Sequence, residues 1–511
     1  MQSDSLSYKT LKNISYSFIG YVFPIVFSVF ITPVVVHKLG VVDYGVFLLM
    51  NTVAAFLGLL DVGLSVALIK YISEYTARKD FKNLTQLLNS ANSMYLIIGT
   101  VGLGVFLLIG YYFLPLFKIQ GEAGQHILVV CLIAGLIFFV NAVNSVYTVV
   151  PNALQRFDIA TKLNLFQLTF LNLSMLVLVV MGYKLKVIFL VNLLSVVILT
   201  FTYRFFTKRI LPEVKLGFAW NRLELGKSFK FGILAFVTNL ASNSLIQLDR
   251  FIVPIFTGPA ALTFYSLPGN VAQKTAGVTG SLGTVFFPLT SAMSGSGDID
   301  TIRRVYIKTF RNIAIISAGL TVAILAFADK ILLYWVGREF ADRGTMVLYI
   351  LACTYFLLAL FGPLTHFLLG LGKVKFMMYT SVGLALLNIL LMMLLVPKFG
   401  IVGAAWAYLG GVLPIPLIFY WTEKHFLKLA GMGTFYLRLY GKIILTSALY
   451  FIIMKYSLYL MVKDFKSLVV VGPLAVVWFF LLYFFLGFYE AEDVAVVKQF
   501  AHKIRGRIGF F

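Results

Sequence analysis

Fourteen long apolar stretches lie between Ile14 and Phe488, and the short segments joining them alternate between rich and poor in Lys and Arg. About 20 apolar residues are enough to cross a bilayer core as a helix. In lipid, an open chain can satisfy its backbone N–H and C=O groups only by forming helices. The pattern therefore predicts an all-α polytopic membrane protein with little mass outside the membrane. Whatever this chain does, it does inside a helix bundle.

The spans are expected near 14–36, 45–69, 93–113, 127–150, 163–182, 187–203, 231–256, 262–290, 312–328, 345–369, 376–396, 401–421, 443–462 and 467–488. With that assignment the termini and the even-numbered loops hold 29 Lys/Arg, and the odd-numbered loops hold 10. The positive-inside bias then places both termini in the cytoplasm. The net charge of +22 reads as this topology signal plus attraction to anionic lipid headgroups, not as a nucleic-acid surface. No nucleic-acid partner is expected; membrane lipids are. The first apolar run, 14–36, is too long for a cleaved signal and lacks a small-x-small site. Cys131 and Cys353 both fall in apolar spans and read as small core residues.

Internal repetition gives the domain reading. At an offset of 218, Gly40-Val-Val-Asp-Tyr-Gly-Val-Phe47 aligns with Gly258-Pro-Ala-Ala-Leu-Thr-Phe-Tyr265, and both segments join an inside-to-outside hairpin. Parallel six-helix repeats about an axis normal to the membrane are a transporter architecture, with the site between the halves. We expect a first lobe at 1–206, a basic cytoplasmic linker at 207–230 carrying Leu216, Phe218 and Trp220, and a second lobe at 231–425. Two further helices and a cytoplasmic tail follow at 426–511.

Polar residues inside spans are costly, about 2.5–3.5 kcal/mol for a charge at mid-bilayer, so each asks for a reason. Asn239, Asn243, Gln247 and Arg250 form one stripe along a helix face, and Asn270 and Lys274 lie on a second with Ser266. Asp61 is the acid deep in the second span, and Asp249 adjoins Arg250 about 100° around its helix. Asn141, Asn144, Ser145 and Thr148 stripe the fourth span. Such stripes serve either interhelical hydrogen bonding or a shared wet interior. For Arg250 and Lys274 the wet interior is favoured, because a cation needs water or a counter-charge. His366 reads as a core histidine. No phosphate-binding G-x-x-x-x-G-K-[ST] loop and no His/Cys cluster with metal spacing occurs, and no cofactor is expected.

Several segments resemble a known family. Leu39-Gly-x-x-x-Tyr-Gly45, Asp61-x-Gly-Leu64, Leu248-Asp-Arg-Phe-Ile-Val followed by Gly258-Pro259 and Tyr265, Tyr334-x-x-Gly337, and Gly370-x-Gly-Lys373 through Asn388 to Lys398-Phe-Gly-Ile-Val-Gly-Ala-Ala405 occur in order. Together they are similar to the polysaccharide-transport flippases for lipid-linked oligosaccharides, of the O-antigen, capsule and exopolysaccharide type. These belong to the multidrug/oligosaccharidyl-lipid/polysaccharide exporter superfamily. Thr263 departs from the glycine usual in that family.

The resemblance implies a V of two six-helix lobes plus two C-terminal helices in a bacterial cytoplasmic membrane. It implies a transporter and not an enzyme, moving an undecaprenyl-diphosphate-linked oligosaccharide to the outer leaflet by alternating access. Glycan polymerase and assembly proteins would be its partners. On this view Arg250 and Lys274 face the diphosphate, Asn239, Asn243, Gln247 and Asn270 replace the water of the sugars, and Asp61 or Asp249 couples the cycle to H⁺ or Na⁺. A multidrug or cation exporter of the same superfamily is one alternative. A membrane glycan polymerase or ligase is another, disfavoured by outside loops no longer than about 329–344.

Overall fold

The computed structural model describes residues 27–61, 63–113, 122–154, 156–222, 224–227, 233, 247–283, 299–429 and 432–489. Asn239, Asn243 and most of the first and seventh expected spans lie outside them. All regular structure among the described residues is helical: α1 (Phe27–Leu39), α2 (Val41–Leu57), α3 (Leu64–Ala77), α4 (Phe81–Leu108), α5 (Glu122–Ala153), α6 (Phe157–Val180) and α7 (Leu185–Ile210). Then come α8 (Asp249–Thr257), α9 (Pro259–Gly283), α10 (Ile299–Trp335), α11 (Arg338–Gly370), α12 (Val374–Val412), α13 (Ile415–His425), α14 (Met432–Tyr456), α15 (Leu458–Met461) and α16 (Phe465–Phe485). Ten helical segments among these residues are long and apolar enough to cross a membrane. The chain is an all-α, multi-pass membrane protein.

Two places refine the expected spans. The segment expected at 45–69 is not one helix. It unwinds after Leu57 through a 3-10 turn at Gly58–Asp61 and restarts at Leu64 after Gly63, whose φ is 75°. α12 holds the expected span 376–396 and the first part of 401–421, separated at Gly400 (φ 57°), and α13 carries the rest of the latter after Pro414. Beyond that break the chain doubles back, so that Gly403 meets the backbone of Leu395 and Gly411 sits on Asn388. Elsewhere helices run longer than hydropathy suggested. The outside loop expected at 329–344 shrinks to Val336-Gly337 between α10 and α11, because Arg338 to Arg343 continue as helix. Cys131 is buried as expected, whereas Cys353 is exposed.

The chain packs as two compact units. One comprises Met1–Leu267 with Met378–Gly411, the other Pro268–Met377 with Val412–Phe511. In the first unit the basic linker after α7 is tied to α4 rather than lying loose. Asn89 accepts from Gly217 N (2.7 Å) and donates to Lys215 O (3.1 Å), and Asn92 donates to Gly217 O (2.9 Å). Ser90 accepts from Asn221 N at 3.0 Å. Leu216 packs on Tyr147, Leu199 and Tyr203, while Phe218 and Trp220 stay exposed. Tyr75 donates to Glu224 (2.8 Å), whose other oxygen pairs with Lys227 (2.7 Å); that bond raises the Lys227 ammonium above its ordinary pKa. In the second unit, α16 opens on a capping box. Asp464 accepts from the Ser467 N–H at 2.7 Å, a bond that holds its carboxyl below the usual range.

The repeat at offset 218 reappears in the backbone. Gly40 precedes α2 with φ 89° and ψ 156°, and Gly258 precedes α9 with φ 85° and ψ 169°. Left-handed φ values of this kind suit glycine, which has no Cβ to clash. The two corners also touch in matched fashion. A Cβ on Gly45 would collide with the carbonyl of Pro259, and Thr263 Oγ1 donates to the carbonyl of Val41 at 2.7 Å. Adding 218 turns 41 into 259 and 45 into 263, so each contact is the other's repeat partner. The threonine that departs from the family pattern has exchanged close approach for a hydrogen bond.

Candidate functional site

Asp61 sits in the break between α2 and α3, where backbone donors at the start of α3 are free of helical partners. Its carboxylate takes three kinds of donor. Ser65 N lies 3.2 Å from Oδ2 and 3.3 Å from Oδ1, Ser65 Oγ is 3.2 Å from Oδ1, and the hydroxyl of Tyr95, from α4, donates to Oδ1 as well. Tyr95 is buried and Asp61 half-buried. Among the described residues no basic side chain forms an ion pair with Asp61. This centre opens on a cavity of about 360 Å³ whose polar lining adds Asn141 and Ser145 from α5. Asn144, one position round that helix, is buried and its Oδ1 finds no partner among the described residues. A hollow that sets one carboxylate, an amide and three hydroxyls among apolar walls such as Leu57, Ile98 and Phe138 can hydrogen-bond part of a sugar or hold a proton or small cation.

Asp249 and Arg250 form a second group, at the start of α8 and still in the first unit. Asp249 is buried, its Oδ1 accepting from Arg250 N at 2.8 Å, and the Tyr265 hydroxyl of α9 is set against the same carboxylate. Arg250 is half-buried, and its charge acts on both Asp249 and the buried Tyr44. Phe56 stacks edge-on against Phe251 at 4.8 Å, linking the end of α2 to α8. Gln247 precedes the group and is half-buried. Ser266, on α9, is fully enclosed and its hydroxyl has no partner among the described residues.

Asn270 and Lys274 belong to the second unit. Asn270 is half-buried. Lys274 is exposed at a cavity of about 240 Å³ whose other walls are nearly all apolar, including Leu320 and Phe327 of α10 and Leu468 and Val476 of α16. The expected residues thus fall into three groups, and the fold joins Asp249 with Arg250 and Asp61 with span-four polar residues. His366 is half-buried in α11. Among the described residues no group of three or more His, Cys, Asp or Glu is placed to hold a metal ion.

Sequence reasoning missed one centre entirely. Glu423, at the end of α13, is 2% exposed and accepts from Tyr306 (2.8 Å) and from Tyr436. It falls just past the expected span 401–421, in the segment before 443 that carries Lys424 and His425. The one sequence signal was the cluster of tyrosines at 436 and 440 in the same loop.

A family model described as "Polysaccharide biosynthesis protein" matches residues 34–343, more than half of the chain. The chain belongs to that family. A Shigella flexneri protein named for O-antigen transport is 20% identical over 411 residues, spanning 80% of this chain and 97% of the relative. The fold is shared with solved structures at 14% identity. The lipid II flippase MurJ, in an inward closed conformation, gives a TM-score of 0.69 over 93% of this chain and all of that one. A multidrug resistance MATE family transporter of the MOP superfamily, facing inward, also gives 0.69, over 82% of this chain and 99% of its own. This is a membrane transporter family, not an enzyme family, and these relatives carry the MOP superfamily fold that the sequence motifs resembled.

Proposed function

We propose that the protein flips undecaprenyl-diphosphate-linked oligosaccharide, a polysaccharide repeat unit, across a bacterial cytoplasmic membrane by alternating access. The observation that carries this reading is a cavity that sets a carboxylate, an amide and three hydroxyls among apolar walls within the helix bundle, in a chain of the polysaccharide biosynthesis family. Each sugar hydroxyl costs on the order of 2–7 kcal/mol to bury without a partner, so the headgroup needs such a lining while its polyprenyl tail stays in lipid. In this reading fourteen spans form two six-helix lobes, 1–206 and 231–425, joined by the 207–230 linker and followed by two helices in 426–511. Both termini lie in the cytoplasm. Arg250 and Lys274 engage the diphosphate, and Asn239, Asn243, Gln247 and Asn270 engage the sugars. Asp61 or Asp249 couples the cycle to H⁺ or Na⁺, since a carboxylate that changes charge can bias a two-state motion. Glycan polymerase and assembly proteins take the product.

The test is genetic and chemical together. Cells lacking the protein should accumulate lipid-linked oligosaccharide on the cytoplasmic side, and the wild-type chain should relieve it. Arg250→Ala and Lys274→Ala should each fail to relieve it while remaining in the membrane. Normal surface glycan in both variants overturns the diphosphate assignment, and no accumulation in the deletion strain overturns the flippase reading itself.

A further inference from the structure

The Glu423 centre opens on a cavity of about 640 Å³, well above the two described so far and within the range that encloses small ligands. It lies wholly in the second unit, between α10, α11, α13 and α14, and the transport reading assigns it nothing. Its walls are of two kinds. Leu357, Leu360 and Ile415 form an aliphatic side, while Phe419, Tyr420, Tyr436 and Tyr440 present rings around the acid. Those rings are held in place by edge-on contacts, Phe310 lying 5.0 Å from Phe419 and 5.4 Å from Tyr436. The segment after α13 is fixed as well: Leu429 N donates to Glu423 O at 2.9 Å, and Arg303 Nε donates to Leu427 O at 2.6 Å.

The acid is the informative part. Both tyrosine hydroxyls act on Oε1, which leaves Oε2 without a donor among the described residues. No basic side chain forms an ion pair with Glu423 among those residues either; Lys424 lies instead over the Tyr420 ring at 5.7 Å. A buried carboxylate without a cation is costly, and the cost falls when a cation arrives. Aromatic faces around a carboxylate favour an ammonium group in particular, through the negative face of each ring. A glycan would meet few polar partners here, and Lys424, which also lines the cavity, sits over the Tyr420 ring, where it can meet the phosphate of a zwitterionic headgroup.

We propose that this cavity binds an amphiphile carrying an ammonium group, its nitrogen at Glu423 Oε2 among the tyrosine rings and its alkyl part along Leu357, Leu360 and Ile415. The ligand could come from the membrane, as an aminophospholipid, or from the cytoplasm, as a lipophilic amine. Both present the same chemistry to the site.

The experiment uses the purified full-length chain, delipidated in detergent. Phosphatidylethanolamine, phosphatidylglycerol, decylamine and 1-decanol serve as probes, followed by native mass spectrometry and thermal shift. Phosphatidylethanolamine or decylamine should bind one per chain, and phosphatidylglycerol and decanol should not. Retention of phosphatidylethanolamine and its displacement of decylamine identifies the membrane source. Decylamine binding that the lipid leaves untouched identifies the soluble one. Glu423→Gln should weaken binding by roughly tenfold, the worth of one charge-assisted hydrogen bond. Leu360→Trp, which narrows the cavity and leaves the acid and its tyrosines intact, should block it. Equal binding of the charged and uncharged probes by the wild-type protein overturns the proposal, as does undiminished binding in the folded variants.

Discussion

The Asp61 and Glu423 centres share a plan and differ in their walls. Each is a carboxylate fed by tyrosine hydroxyl, without a basic partner among the described residues, and each faces a cavity. Asp61 also receives a backbone N–H and a serine hydroxyl at an unwound corner, and its cavity adds an amide and a second serine. Among the described residues the side-chain donors to Glu423 are tyrosines, at the end of an intact helix, and its cavity is aromatic and aliphatic apart from Lys424. The acid alone therefore does not define a guest. The wall decides whether the hollow replaces water for a polar guest or accepts a greasy one with a single charge.

The largest test of that contrast is Asp61→Asn. If the carboxylate couples ion and glycan, export measured as surface polysaccharide should fall by about tenfold, within the usual 1–3 kcal/mol of coupling energy. Equal loss of export in Glu423→Gln would erase the functional difference between the centres. Next comes Tyr306→Phe, which removes one of the two tyrosine donors that a buried carboxylate has among the described residues. It should cost about 1.5–3 kcal/mol, read as a lowered midpoint of thermal unfolding. Tyr95→Phe should cost less, because Asp61 keeps its serine donors. A larger shift for Tyr95→Phe would reverse the ranking.

Two smaller effects calibrate these from outside both centres. Asn89→Ala removes hydrogen bonds to Gly217 and Lys215 and should loosen the linker by about 1–2 kcal/mol, seen as faster proteolytic nicking between 211 and 222. A nicking rate equal to wild type would mean that Asn92 and Ser90 suffice. The smallest concerns Asp464, an exposed carboxylate whose pKa is depressed by its Ser467 bonds. A depressed folded-state pKa means stability present above the ordinary value of 3.8 and lost as pH falls below it. Melting curves of Asp464→Ala and wild type should therefore differ at neutral pH and converge in acid.

Much of the helical layout was legible because hydropathy acts locally. Even the division between the spans 376–396 and 401–421 falls at Gly400, where the backbone breaks. The offset of 218 was visible too, and the matching φ values at Gly40 and Gly258 give it a physical meaning. Asp61 stood out as an acid in an apolar run, though its unwound setting did not. The rest depended on partners far apart in sequence. Glu423 meets Tyr306 from 117 residues away, and Asn92 reaches Gly217 across 125. No local pattern encodes such pairs, and Asn89, Asn92 and Glu423 all fall between expected spans, where hydropathy gives them no role.

The paired corners have a mechanical consequence. Positions 41 and 45 stand one helical turn apart, about 6 Å along the axis, and so do 259 and 263. Two fastenings that far apart resist swivelling as well as separation, where a single pin would let the helices pivot. Parting these segments requires breaking the Thr263–Val41 bond and withdrawing the Pro259 carbonyl from the niche left by Gly45 together, so they should release as one catch and not in stages.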